Sequence, residues 1–178
     1  MSTITDPQQI NSLREAGKLH ARILDELAAA VKPGVTTAEL NKLAEKLVIE
    51  AGDTPAFKGY QPDGASFPFP AGLCTSINDE IVHGIPGDRI LQEGDVVGLD
   101  FGVTHNGVIT DAAVTVSVGE VSDEIKELLS VTEGALYAGI DAAKPGNRIG
   151  DISHAIENFA KLKKKNYGCL LYTSPSPR

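Results

Sequence analysis

The sequence predicts an α+β chain on three observations. Two segments near the N-terminus carry apolar residues at helical spacing, and they end at Lys32-Pro33-Gly34 and at Gly52. Residues 96–118 are rich in Val, Ile and Thr on both sides of an Asn-Gly pair, which is typical of a β-hairpin. Two further amphipathic helices follow the hairpin, and a second Lys-Pro-Gly separates them.

The first two helices have recognisable start signals. We predict a helix over residues 7–31, capped by Asp6 or Thr5 with a proline in its first turn. Thr36-x-x-Glu39 is a capping box, so a second helix begins there and runs to Gly52.

Short strands are predicted on the far side of a loop rich in Gly, Pro and Phe at residues 55–72. Leu73 to Asn78 and Ile81 to His83 have strand-like composition. After the hairpin, Ser122 caps a helix that runs to about Ala143, and a last helix spans residues 148–163.

An internal repeat joins the two ends of the chain. Lys32-Pro33-Gly34 and Lys144-Pro145-Gly146 lie 112 residues apart, and the apolar positions of the following helices match at the same offset. Each copy is a helix, a Lys-Pro-Gly stop and a second helix. Because this stop is common, chance is an alternative, but the matched helix phase favours duplication.

Composition excludes several classes of protein. The chain has 178 residues and a net charge of −8, so an extended nucleic-acid surface is not expected. No apolar run approaches the length of a membrane span, and the N-terminus lacks the features of a secretory signal. Cys74 and Cys169 do not make a disulfide framework, which favours the reducing cytoplasm.

The hairpin carries two carboxylates, Asp100 and Asp111. If Asn106 and Gly107 form the loop, Asp111 lies opposite Gly102, and both Asp side chains fall on one face as diagonal neighbours. Such a pair repels itself unless a positive charge lies between, and a divalent metal ion is the favoured candidate. Carboxylates suit Mn²⁺, Fe²⁺, Co²⁺ or Zn²⁺, although two alone do not complete a site. A loop one residue longer would put the two Asp on opposite faces.

His83 is the histidine that the pattern favours for chemistry. It is expected where a strand ends, beside Gly84 and Pro86, and it precedes the two carboxylates in the chain. A neutral imidazole there could hydrogen-bond a substrate carbonyl or donate a proton.

The remaining polar candidates are given structural roles. His20, His105 and His154 are expected at the surface, and Asp79 and Glu80 in a turn at the surface. Cys74 is expected to be a small buried residue of a strand, with pocket lining as the alternative.

The last ten residues, 169–178, differ from the rest. They have no periodicity, and they resemble the conceptual translation of a transposon-end adapter used in sequencing libraries. A natural Ser/Pro-rich terminus is the alternative. We therefore expect residues 1–168 to be an incomplete catalytic domain and residues 169–178 to have no structural or functional role.

Three groups of residues together resemble the bacterial type I methionine aminopeptidases. The match covers roughly Thr5 to Gly168. The groups are Pro55-Ala56-Phe57-Lys58-Gly59-Tyr60, then Cys74-x-Ser76-Ile77-Asn78-Asp79-Glu80-x-x-His83-Gly84-Ile85-Pro86, and the pair Asp100 and Asp111 with ten residues between them.

The resemblance implies the pita-bread fold, with its first pseudo-symmetric half and the opening helices of the second present here. It implies a site for two divalent metal ions, of which Asp100 binds one and Asp111 bridges both. His83 would be the catalytic residue that contacts the substrate, while Tyr60, Phe69 and Cys74 would line the pocket for a methionine side chain. The activity implied is removal of N-terminal methionine from nascent polypeptides near the ribosome, by a protein that is monomeric when full length.

The sequence departs from the family in one respect. The family's second half supplies a metal-binding His, another substrate-contacting His and two metal-binding Glu, one of which is the general base, and this chain is expected to lack them. The fragment itself is therefore expected to be inactive. A proline-specific peptidase of the same fold and a metal-free binding protein on this fold are the alternatives.

Overall fold

The structure is a computed structural model that describes residues 3–163. The described residues divide into two compact units, one that ends at Val121 and one that begins at Ser122. The first unit contains two helices and four strands: α1 (Pro7–Ala30), α2 (Thr37–Glu50), β1 (Thr54–Pro55), β2 (Leu73–Ile77), β3 (Val96–His105) and β4 (Val108–Ser117). The second unit contains α3 (Asp123–Ala142) and α4 (Ile149–Leu162).

The helix starts follow the predicted caps. The side chain of Asp6 accepts a hydrogen bond from the backbone N–H of Gln8 at 3.0 Å, which satisfies a free donor of the first turn of α1. The capping box of α2 is closed in both directions, because Thr36 N–H donates to Glu39 and Glu39 N–H donates to Thr36 Oγ1. The predicted extents of both helices are confirmed.

Strand β3 organises the sheet, since it pairs antiparallel with β1, β2 and β4. The hairpin register is the predicted one: His105 pairs with Val108, and Gly102 pairs with Asp111. Both loop residues, Asn106 and Gly107, have positive φ angles of 46° and 79°, as a two-residue turn of this kind requires.

The core lies between the two helices and one face of the sheet. In β3 the odd-numbered residues 97, 99, 101 and 103 are fully buried, and they pack with Ile23, Leu27, Leu40 and Val48 of the helices. Burying each such side chain contributes about 1.5–3 kcal/mol. Because strand side chains alternate, the even-numbered Asp100 lies on the face of β3 turned away from this core.

The predicted strand at Ile81 to His83 is wrong. This segment is an irregular loop in which His83 has a φ of 62°, and the side chains of Ile81 and Val82 are exposed. Their β-branched composition favours a strand, but Glu80 accepts a hydrogen bond from the N–H of Ile77 at 2.9 Å and closes a turn after β2.

The second unit repeats the helical pattern of the first. The ends of α1 and α3, at Ala30 and Ala142, and both bounds of α2 and α4 differ by the same 112 residues as the two Lys-Pro-Gly stops. The stop glycines, Gly34 and Gly146, have φ angles of 93° and 94°. The matching turn and the equal 14-residue lengths of α2 and α4 support duplication.

Helices α3 and α4 pack closely through two glycines. A Cβ atom at Gly139 would lie 2.8 Å from Ile156, and one at Gly134 would overlap the ring of Phe159. Ile152, Ile156 and Phe159 are half-buried as the predicted apolar stripe requires, whereas Ile149 is exposed. Among the described residues, no helix combines the length and apolar character needed to cross a bilayer. The prediction for residues 169–178 lies outside the described part of the chain.

Candidate functional site

Asp100 and Asp111 share the face of the hairpin opposite the core. Asp100 is half-buried, whereas Asp111 is exposed. Burial raises the pKa of Asp100, and the nearby charge of Asp111 raises it further, while His83 acts in the opposite direction. Asp111 therefore lies close enough to oppose the ionisation of Asp100.

His83 is held near this pair by a short loop that docks on β2. The backbone N–H of Thr75 donates to the carbonyl of Gly84 at 2.8 Å. The N–H of Gly84 donates to Ser76 Oγ at 3.2 Å. A Cβ atom at Gly84 would overlap the carbonyl of Thr75, so a residue without a side chain is needed for this approach.

A cavity of about 590 Å³ collects the candidate residues. Its wall includes all six residues that the sequence singled out: Tyr60, Phe69, Cys74, His83, Asp100 and Asp111. Phe57, Phe67 and Ile85 also line it and were not predicted to do so. An aromatic and aliphatic wall with a few convergent polar groups is typical of a small-ligand site.

Tyr60 and Phe69 meet although eight residues separate them. Phe69 N–H donates to the carbonyl of Tyr60 at 2.8 Å, and Gly59 N–H donates to the carbonyl of Phe69 at 2.9 Å. The intervening residues form a loop between these bonds, so they do not separate the two aromatic residues at the cavity.

Cys74 is a buried residue of β2, as predicted, and it pairs with Asp100 across the sheet. Burial raises the pKa of its thiol to about 12, with a further contribution from Asp100 and Asp111. The thiol therefore stays protonated at neutral pH, which fits an apolar wall and not a nucleophile.

The donor chemistry of Asp100 and Asp111 fits part of a divalent-cation site. Burial and the neighbouring Asp111 both raise the pKa of Asp100, so a cation bound between the two carboxylates would relieve their repulsion. Within residues 3–163, no group of three or more His, Cys, Asp or Glu side chains is arranged to hold a metal ion. The pair would need further ligands to complete a coordination shell.

The chain matches the family model of metallopeptidase family M24 over residues 11–173. This chain belongs to metallopeptidase family M24. It is 43% identical over 155 residues to methionine aminopeptidase 1 of Bacillus subtilis, a match that covers 87% of this chain and 60% of that protein. The chain thus spans about 60% of the length of the curated relatives it matches.

Solved structures place the M24 chain in the expected fold. Methionine aminopeptidase from Rickettsia prowazekii superimposes with a TM-score of 0.85 at 37% identity, covering 92% of this chain and 63% of that one. Prolidase from Pyrococcus furiosus has a TM-score of 0.76 at 20% identity, covering 90% and 44%, and this likeness concerns the fold alone. The predicted α+β pita-bread fold is confirmed.

The predictions for the other histidines have mixed outcomes. His154 is exposed, as predicted. His20 is buried, so its prediction is wrong, and His105 is half-buried between Asp53 and Glu15. The signal for His20 was present in the sequence, because it lies at helical spacing from Ala16, Ile23 and Leu27 on the buried face of α1.

Proposed function

We propose that this M24 chain is the N-terminal part of a methionyl aminopeptidase, a metallo-exopeptidase that removes N-terminal methionine from nascent polypeptides. One observation carries the proposal: a single cavity brings together a carboxylate pair, a histidine and a lining of aromatic and sulfur-containing side chains. The relatives named above as methionine aminopeptidases support the same activity.

Asp100 and Asp111 would hold two divalent ions together with ligands from outside the described residues. Co²⁺, Mn²⁺, Fe²⁺ and Zn²⁺ all accept carboxylate oxygens. When bound, such ions supply an activated water and polarise the scissile carbonyl. Asp100 lies on β3 and Asp111 on β4, so a paired hairpin keeps both oxygen donors on a rigid support.

His83 would be the catalytic side chain contributed by this part of the protein. Its loop is fixed on β2 by the Thr75–Gly84 and Gly84–Ser76 hydrogen bonds, and its ring lines the cavity that contains the carboxylates. An imidazole N–H in this position can donate to the substrate carbonyl and to the oxyanion that forms when water adds.

Tyr60, Phe69 and Cys74 would bind the methionine side chain. A thioether packs well against aromatic rings, and the protonated thiol of Cys74 adds a polarisable wall without a charge. The Gly59–Phe69 and Phe69–Tyr60 backbone hydrogen bonds hold the two residues at the same wall of the cavity.

The cellular setting belongs to the proposal as well. We propose that the full-length enzyme acts in the cytoplasm near the ribosome, where nascent polypeptides emerge, and that it is a monomer. The net charge of −8 supports a protein that does not bind nucleic acid directly.

The test uses the longer gene product that contains this chain. Release of free methionine from Met-Ala and Met-Gly peptides is measured after loading with each of the four ions, and we expect activity that His83→Ala reduces strongly. Asp79→Asn, an exposed turn residue, is the control and should leave the rate unchanged. Absence of methionine release with any ion would contradict the proposal, and cleavage of Xaa-Pro peptides instead would favour the prolidase alternative.

The 178-residue chain alone is expected to release no methionine. Among the described residues it contributes two carboxylate ligands to the cavity, and no third donor is grouped with them. Tight binding of two ions per chain would contradict this expectation.

A further inference from the structure

His20 is a buried titratable side chain that the proposed chemistry does not use. It lies in α1 and is 2% exposed. Its Nδ1 atom is 3.0 Å from Oγ1 of Thr110 in β4, and its ring centroid is 4.2 Å from that of Phe101 in β3. One side chain of α1 therefore contacts both strands of the hairpin.

These contacts fall beside the two carboxylates in the sequence. Phe101 directly follows Asp100, and Thr110 directly precedes Asp111. Because successive side chains of a strand point to opposite faces, the residues held against His20 require Asp100 and Asp111 to face the cavity.

The burial of His20 is costly for a residue that only fills space. Its Nε2 atom makes no hydrogen bond of good geometry among the described residues, and burial lowers the pKa of the ring although the charge of Asp111 and the backbone of Phe101 and Ala112 act in the opposite direction. An apolar side chain would avoid the cost of an unpaired buried nitrogen. Unlike an apolar side chain, an imidazole at this position can hydrogen-bond Thr110. The hydroxyl of Thr110 can donate or accept, so it can pair with either tautomer of the ring.

We infer that His20 is a positioning residue for the Asp100 and Asp111 pair: by holding Thr110 and Phe101 it fixes the separation and direction of the two carboxylates for a divalent cation. The inference rests on the proposed role of these carboxylates as ligands. Partners behind metal ligands commonly orient them in this way, and their loss lowers metal affinity.

Four variants separate positioning from packing. His20→Leu keeps an apolar filling but removes the hydrogen bond, and Thr110→Val removes the same bond from the other side with little change of shape. His20→Asn retains a side-chain nitrogen close to the position of Nδ1. Ile23→Val is the matched control, because Ile23 is buried one turn further along α1 and its truncation costs stability by packing alone.

The measurement is Mn²⁺ titration of the longer gene product that contains this chain, followed by paramagnetic broadening of the amide signals of Asp100 and Asp111. We expect His20→Leu and Thr110→Val each to weaken Mn²⁺ binding about tenfold. The double variant should bind Mn²⁺ no more weakly than either single variant, because the two substitutions remove the same His20–Thr110 hydrogen bond. His20→Asn should bind nearly as the wild type does, and Ile23→Val should bind as the wild type while unfolding more easily.

Unchanged Mn²⁺ affinity in a folded His20→Leu chain would overturn the inference. If that variant does not fold, Thr110→Val and His20→Asn decide the question by the same criterion. If the wild type itself binds no Mn²⁺ at the hairpin, the ligand role has failed, and metal-free amide exchange at Asp111 and Ala112 decides the positioning. Faster exchange in Thr110→Val than in Ile23→Val supports positioning, and equal exchange overturns it.

Discussion

Asp111 pairs with Gly102 across the β3–β4 hairpin, and this register places its side chain on the same face as that of Asp100. The opposite face of β3 carries Leu99 and Phe101 into the core. The alternation of side chains along β3 and β4 therefore determines both which residues enter the core and which carboxylates face the cavity. A shift of one residue in the pairing of the two strands would exchange the two faces.

Removing either carboxylate should abolish metal retention by the longer gene product. Asp100→Asn and Asp111→Asn each replace an anionic ligand with a neutral amide, so we expect the metal content after gel filtration to fall close to zero. Elemental analysis of the eluted protein measures this, with Asp79→Asn as the exposed control. Metal content equal to that of the wild type in both Asn variants would exclude the hairpin as the site.

The same substitution should have the opposite effect on stability without metal. Asp100→Asn removes a half-buried charge that burial and Asp111 both disfavour, as the raised pKa of Asp100 indicates. In the presence of a chelator at neutral pH, we expect a higher free energy of unfolding for Asp100→Asn than for the wild type. Urea unfolding checks this, and a clear loss of stability would show that the carboxylate has a structural partner.

A side chain at position 84 should displace the His83 loop. In Gly84→Ala the new Cβ would meet the backbone carbonyl of Thr75, which cannot move without disturbing β2. Overpacking of this kind costs about 1–3 kcal/mol. Gly87→Ala is the matched control in the same loop, because a Cβ there has nothing within 4 Å.

The two glycine variants differ in their expected effect on catalysis. In the longer gene product, Gly84→Ala should lower kcat/KM for methionine release because His83 moves, whereas Gly87→Ala should not. Unfolding curves and peptide kinetics are measured on both proteins. Equal behaviour of the pair would mean that the close approach of Gly84 to Thr75 does not hold the loop.

The hairpin and the helix caps could be predicted because their signals are local. Asn106-Gly107 demands two residues with positive φ, which fixes the loop length and so the pairing of Gly102 with Asp111. The side chains of Thr36 and Glu39 each accept a hydrogen bond from the other's backbone N–H, so the start of α2 depends on four consecutive residues.

Other features depend on specific contacts that periodicity and composition do not reveal, and the surface position of His20 and the strand at Ile81 to His83 were predicted wrongly for this reason. His20 lies on the buried face of α1, and its hydrogen-bond partner there, Thr110, comes ninety positions later in the sequence. Ile81 and Val82 favour a strand by composition, but the Glu80 turn and the docking of Gly84 on β2 hold them outside the sheet. Tyr60 and Phe69 line one cavity because backbone hydrogen bonds join the two ends of the loop between them, and residue type alone does not reveal these bonds.

Stability should depend on pH through His105. Its Nδ1 lies 2.9 Å from Asp53, its Nε2 is 3.5 Å from Glu15, and Asn106 also contacts the ring. The hydrogen bond to Asp53 is the largest influence on the pKa of His105 and raises it above 6.5. Burial has a smaller effect that lowers the pKa, and the charges of Asp53 and Glu15 raise it further. The protonated ring therefore stabilises the fold fully below pH 6.5, and this contribution is lost as the pH rises through the raised value.

The check is urea unfolding of the wild type and His105→Gln between pH 5.5 and pH 8.5. We expect the free energy of unfolding of the wild type to exceed that of the variant, with the largest difference at pH 5.5 and a smaller one as the pH rises. His154→Gln, at an exposed position in α4, is the control and should follow the wild type. A difference that is constant over this range would show that the His105 charge does not contribute.

The repeated helix stop predicts equal penalties at two distant glycines. Gly34 and Gly146 have φ angles of 93° and 94°, and a Cβ at either would have nothing within 4 Å, so alanine is penalised by backbone conformation alone. Gly34→Ala and Gly146→Ala should each cost about 1 kcal/mol, as measured by hydrogen exchange of the helix that precedes each stop. Asparagine tolerates positive φ better than alanine, so each Asn variant should recover part of the loss. A penalty at only one of the two glycines would mean that the turns differ in conformation, and the 112-residue offset would then no longer support a duplicated unit.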